Sequence, residues 1–222
     1  LNVGEGYVGY CEVDDEDWST SWKKYYKPFE LAEGLVVKPT WEKYDNKDGE
    51  IVIELDPGMA FGTGTHETTK MCAVFLSKYM KNGYNVIDVG CGSGILTIIS
   101  CKLGAAKVTA VDIDEVAVKV TKENCEVNKV GDTVTAFKGV LTDIKDEKAD
   151  VVVANIIADV IIDLSSSIPQ YLKEDGIFIT SGIIKERKDE VLSKYLSRGF
   201  KCEDTIEMGE WVAMALRCPG SL

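Results

Sequence analysis

The stretch Val86-Ile87-Asp88-Val89-Gly90-Cys91-Gly92-Ser93-Gly94 runs from apolar, β-branched residues into three closely spaced glycines. Glycines at such a point let the backbone turn tightly and approach a ligand, and a helix opening there presents free N–H groups to an anionic part of it. Gly90 and Gly92 are therefore candidate ligand contacts. The spacing is GxGxG; a dinucleotide loop requires GxGxxG, and Ile95 stands where its third glycine belongs. Eighteen residues after Gly94, the run Val108 to Val111 ends in Asp112. An acid at the end of a second strand can accept hydrogen bonds from both hydroxyls of a ribose. Asp114 competes for that role, but it also suits the N-cap of a helix beginning at Glu115. S-Adenosyl-L-methionine, with a ribose and a carboxylate but no phosphate, fits such a pair of elements.

Two further stretches carry polar groups. Asp150-Val151-Val152-Val153-Ala154 reads as a buried strand, and Asn155 follows at its carboxyl end, the edge at which open α/β sheets bind ligands. The Asn155 carbonyl oxygen can accept a hydrogen bond from an amine and hold its lone pair toward a methyl group; the same side chain could also cap a helix. Upstream, Asp56 to Thr69 packs three glycines and four threonines around His66. No Gly-Lys-Ser/Thr follows, so this is not a nucleoside-triphosphate loop. It reads as a loop folding over a ligand and entering a helix from Thr68 to Met80. His66 is either a general base, since imidazole titrates near neutrality, or an anchor for the helix start.

These residues need a scaffold, and the chain supplies an alternating one. Asn85 to Val89, Ile95 to Leu103, Lys107 to Val111, Glu115 to Asn128 and Thr133 to Lys138 give a βαβαβ pattern. The runs Asp150 to Ala154 and Gly176 to Ser181 are apolar enough for central strands covered by helices on both faces. Between them Ala158 to Leu172 is helical, kinked or divided at Pro169. Lys185 to Arg198 forms an amphipathic helix ended by Gly199. Cys202 to Ile206 and Glu210 to Leu216 are separated by a connection that permits a hairpin but no crossover helix. The expected fold is a Rossmann-like α/β sheet whose last strand is antiparallel. The acidic run Asp14 to Asp17 suits the start of a helix carrying Trp18, Trp22 and Tyr25 or Tyr26.

Composition narrows the function classes. With 222 residues, one main domain is expected, at 49–222; residues 1–48 read as a connector or the remnant of another module. No apolar run approaches the ~18 residues of a membrane helix, and Leu1 to Cys11 has no signal-peptide pattern. Seven cysteines without a CxxC pair suit a reducing compartment such as the cytoplasm. With a single histidine and no paired short ligand spacings, no metal site is expected. A net charge of −12 opposes a nucleic-acid surface and favours a basic protein partner.

Taken together, Asp56 to Thr69, Ile87 to Leu96, Ala149 to Asp159 and Glu210-Trp211-Val212 closely resemble the PrmA family, which methylates the eleventh protein of the large ribosomal subunit; the likeness spans Trp18 to Arg217. The resemblance implies a class I methyltransferase fold with a seven-stranded sheet. It also implies S-adenosyl-L-methionine as methyl donor, and lysine and amino-terminal amines as acceptors. By motif position Thr69, Gly90, Asp112 and Asn155 look like cofactor contacts, with Thr63 and His66 as further ones. Glu67 stands where the family often has proline, and family members carry an amino-terminal domain that captures the ribosomal protein. Asn155-Ile156-Ile157-Ala158 lacks the Pro-Pro-aromatic ending of enzymes that methylate base amino groups, so no stacking platform for a base is evident. The alternatives are an RNA or small-molecule methyltransferase on the same fold, or a cofactor-binding fragment without activity.

Overall fold

The computed structural model describes residues 26–56 and 64–219. The acidic run at 14–17, the aromatic residues at 18, 22 and 25, and Thr63 lie outside the described residues. A small sheet comes first. Strands β1 (Phe29–Ala32) and β2 (Leu35–Lys38) pair antiparallel around Gly34, and β2 pairs parallel with β3 (Ile51–Glu54). The boundary expected at 48/49 thus passes between two neighbouring strands. Leu35, Val37 and Ile53 are buried in the same core as Phe75 and Ile95. Four-residue strands are too short to announce themselves by alternation, so β1 and β2 have no counterpart in the sequence reading.

The main sheet has seven strands in the order β6-β5-β4-β7-β8-β10-β9. These are β4 (Asn85–Val89), β5 (Lys107–Asp112), β6 (Val134–Lys138), β7 (Ala149–Asn155), β8 (Leu172–Ile184), β9 (Lys201–Met208) and β10 (Trp211–Arg217). Strands β4 to β8 pair parallel, and β10 is antiparallel to both β8 and β9. The two-residue link Gly209-Glu210 between β9 and β10 allows nothing else. Successive residues face opposite layers. Val151, Ile177 and Ala215 join one core cluster, while Val152, Phe178 and Leu216 join the other. Such two-sided burial explains the uninterrupted apolar runs.

One layer holds α1 (Glu67–Tyr79) and α2 (Ile95–Lys102). Helix α3 (Glu115–Val127) buries Ala117, Thr121 and Cys125, one stripe at four-residue spacing. Asn128, just past α3, ties the small sheet down: its amide oxygen accepts from Glu54 N at 2.9 Å and its amide nitrogen donates to Glu54 O at 2.7 Å. The opposite layer holds α4 (Ala158–Leu164), α5 (Ile168–Tyr171) and α6 (Lys188–Leu196). Pro169 divides the expected helix, starting α5 in its first turn, where its missing N–H is harmless. Among the described residues no helix is long and apolar enough to cross a membrane.

Candidate functional site

Strand order reverses at β4: β5 lies on one side and β7 on the other. Crossovers leave in opposite directions there, and a crevice opens at the carboxyl ends of the strands. A cavity of about 610 Å³ occupies it, within the ~300–1,000 Å³ range of small-molecule sites. Gly90, Asp112 and Asn155, at the ends of β4, β5 and β7, all line it.

The glycine loop is held from behind. Gly90 N and Cys91 N donate to Val111 O at 2.8 and 3.1 Å. From α3, Thr121 Oγ1 donates to Gly92 O at 3.0 Å and Asn124 Nδ2 to Ser93 O at 2.8 Å. Gly90 has φ +78, and a Cβ there would lie 2.5 Å from Ile156 Cγ2. Only glycine permits both the turn and the close approach of Ile156.

Asp112 is the acid that faces the cavity. Its Oδ2 accepts from Gly92 N at 2.9 Å and its Oδ1 from Asp114 N at 3.0 Å. Asp114 caps α3 instead, accepting from Val116 N at 2.9 Å. Next to Asp112 the wall is apolar, formed by Ile113, Val140 and Leu141. Beneath the loop sits a group that sequence reasoning did not single out. Asp88 is buried, takes one hydrogen bond on Oδ2 from Thr97 Oγ1 at 2.7 Å, and has no partner for Oδ1. Burial pushes its carboxyl up to about 7, and the nearby Asp112 charge adds to the effect.

The other end of the cavity is built around Asn155 and α1. Asn155 Nδ2 lies 3.4 Å from Thr69 Oγ1, a long donation that leaves Oδ1 as the free acceptor. Asn155 does not cap α4, whose N-cap is Ile157. His66 caps α1: Nδ1 accepts from Thr68 N at 3.3 Å and lies 2.8 Å from Thr68 Oγ1. The anchoring alternative for His66 is therefore realised. Its ring meets Trp211 in a T-shaped contact, centroids 5.1 Å apart. Both rings line the cavity.

The structure thus brings His66, Thr69, Gly90, Gly92, Asp112 and Asn155 to one cavity. Sequence reasoning missed Trp211 as a lining residue, along with Ile156 and Gly182. The available sequence signal for Trp211 was its place in the Glu210-Trp211-Val212 stretch of the terminal hairpin. Among the described residues no group of three or more His, Cys, Asp or Glu side chains could hold a metal ion.

The family model for ribosomal protein L11 methyltransferase (PrmA) matches residues 2–218. The chain is similar to the ribosomal protein L11 methyltransferase of Acetivibrio thermocellus, 72% identical over 222 residues that cover all of this chain and 71% of that protein. The corresponding protein of Ruminiclostridium cellulolyticum is 62% identical over 224 residues, with the same coverage of 100% and 71%. Among solved structures, the ribosomal protein L11 methylase of Lactobacillus delbrueckii subsp. bulgaricus matches with a TM-score of 0.82 at 33% identity, covering 87% of this chain and 100% of that one.

Proposed function

Since the chain belongs to the ribosomal protein L11 methyltransferase (PrmA) family, we propose that the cavity beside Asn155 is where methyl groups pass from S-adenosyl-L-methionine to lysine and amino-terminal amines of that ribosomal protein. The observation that carries this reading is the convergence of His66, Thr69, Gly90, Gly92, Asp112 and Asn155 on one cavity at the strand-order reversal.

The residues suit the cofactor. Each Asp112 oxygen uses one lone pair on a backbone N–H and retains capacity for the ribose hydroxyls. Ile113, Val140 and Leu141 offer an apolar wall to the purine, and Gly90 and Gly92 let the amino-acid end approach the backbone. Thr63 is a further proposed contact by motif position. When bound, S-adenosyl-L-methionine supplies an electrophilic methyl group on a positively charged sulfur.

The protein's task is to align the amine nitrogen with that methyl group and to receive the amine without its proton. A lysine of pKa ~10.4 is neutral about once in a few thousand molecules at pH 7, a cost of ~4–5 kcal/mol. Asn155 Oδ1 and neighbouring backbone carbonyls orient the neutral amine. The proton passes to solvent or to His66. Because Nδ1 of His66 accepts from Thr68 N–H, the ring hydrogen of the neutral form sits on Nε2, and taking a substrate proton there requires the other tautomer and the loss of the cap.

In this reading residues 49–222 supply the transfer chemistry, braced by the strands at 29–38 that are buried in the same core. The six described cysteines are free thiols, which supports a cytoplasmic location. The test incubates the protein with purified ribosomal protein L11 and S-adenosyl-L-methionine and records the intact mass of the substrate. Gains in methyl steps are expected. No gain despite measured cofactor binding would redirect the search to RNA and small amines.

A further inference from the structure

Trp211 stands at the start of β10 with Ile184 of β8 as its Cα partner, and Asn155 at the end of β7 faces Ser181 of β8. Because β10 runs antiparallel, its beginning and the ends of β7 and β8 share one edge of the sheet. Two strand spacings of ~4.8 Å separate β7 from β10, and the partners Ser181 and Ile184 stand three residues apart along β8, a further ~10 Å, so the Cα atoms of Asn155 and Trp211 lie about 14 Å apart across the cavity that both side chains line. That gap accommodates an aliphatic ammonium between an amide on one side and an aromatic ring on the other.

The chemistry of this end of the cavity is specific. Its lining side chains include Thr69, Asn155, His66 and Trp211, whereas the carboxylate that lines the cavity, Asp112, lies at the far end beside Gly92. Among the described residues that line this end of the cavity none is acidic, so a positively charged nitrogen meets dipoles and π-electrons there. Trp211 is half-buried, packs against the core around α1, meets His66 in a T-shaped contact and lines the cavity.

We propose that Trp211 is a substrate-positioning residue that holds the acceptor nitrogen, in its ammonium and methylated-ammonium forms, against the indole face. The inference rests on the amine-methylation reading above. At each transfer the nitrogen lone pair forms the N–CH3 bond as the S–CH3 bond breaks and its electron pair returns to sulfur; the resulting ammonium loses a proton to solvent before it can react again. Every added methyl removes an N–H that Asn155 could bind, while attraction to the indole needs only the charge. Asn155 thus serves the unmethylated amine best, and Trp211 keeps the partly methylated product in place for the next transfer.

The test compares Trp211→Phe and Trp211→Leu with the unaltered protein on ribosomal protein L11. For Trp211→Leu, KM for the ribosomal protein is expected to rise about threefold to thirtyfold. Its products should stall at fewer methyl groups, with cofactor Kd unchanged; Trp211→Phe should restore most of both. Equal behaviour of the Phe and Leu variants, or an unchanged product distribution in Trp211→Leu, overturns the proposal. Should the Leu variant fail to bind cofactor, the unaltered protein decides: choline should compete with the ribosomal protein more strongly than its uncharged isostere 3,3-dimethylbutanol, and equal inhibition overturns the proposal. If the unaltered protein transfers no methyl group to ribosomal protein L11, the amine reading itself has failed, a result separable from either variant.

Discussion

Gly182→Ala and Gly83→Ala separate backbone strain from the positioning of Asn155. Both glycines have φ +85, where an alanine costs about 1–2 kcal/mol. At Gly83 a Cβ would meet nothing within 4 Å, so that cost is the whole effect. With ~2–4 °C of Tm per kcal/mol for a chain of this size, the melting point should fall by about 2–8 °C. At Gly182 the same Cβ would overlap the Ile156 carbonyl oxygen and lie 2.8 Å from its carbon and 3.1 Å from its nitrogen. These are backbone atoms, held by Ile156 N donating to Ser181 O at 3.2 Å and by the Ile156 side chain against Gly90. Relief requires the Ile156 backbone, which follows Asn155 directly, to move by about 1 Å, adding ~1–3 kcal/mol of overpacking. The total, ~2–5 kcal/mol, corresponds to a Tm loss of about 4–20 °C. A 1 Å displacement beside the reacting atoms lowers kcat by about 10²-fold. Circular-dichroism melts and transfer assays at saturating cofactor measure both quantities. A Gly182→Ala protein with the Tm of Gly83→Ala and near-normal turnover would refute the argument.

Three other outcomes follow from the site. Asp88 has a folded-state pKa raised from 3.8 to about 7, so its contribution to stability is greatest below pH 4 and is lost as pH rises toward 7. Asp88→Asn removes a penalty of about 4 kcal/mol at pH 8 but leaves an amide N–H unpaired at ~1–3 kcal/mol. A net gain of about 1–3 kcal/mol at pH 8 is expected from urea unfolding, shrinking as pH falls to 5; the same difference at both pH values would contradict it. Asp112→Ala should weaken S-adenosyl-L-methionine binding by about 10- to 150-fold, the value of ~1.5–3 kcal/mol for charge-assisted hydrogen bonds, and calorimetry giving less than a threefold change would exclude the ribose role. Asn155→Ala should lower the single-turnover rate by about 10- to 100-fold through loss of the acceptor oriented beside Thr69; an unchanged rate would remove Asn155 from the chemistry.

The sheet and its ligand-binding edge were legible in the residues themselves. Strands buried on both faces leave continuous apolar runs, a glycine loop must follow the first of them if a ligand is to approach backbone, and a two-residue link can only close a hairpin. Asp112 over Asp114, and the cap at Asp114, were likewise local matters of strand end against helix start. Other features depend on segments distant in the chain. That β10 inserts between β8 and β9, carrying Trp211 to the edge shared with Asn155, is a fact of strand order, and strand order is set by packing over the whole sheet. A side chain at Gly182 or Gly90 is costly because Ile156 passes close to both, a contact no short-range pattern records. The elevated pKa of Asp88 has the same origin: nothing in the local sequence singles it out, and only the layers closing over it remove its water. Local spacing determined which groups could do chemistry. Tertiary burial decided which of them face the cavity, which brace it, and which sit charged or neutral beneath it.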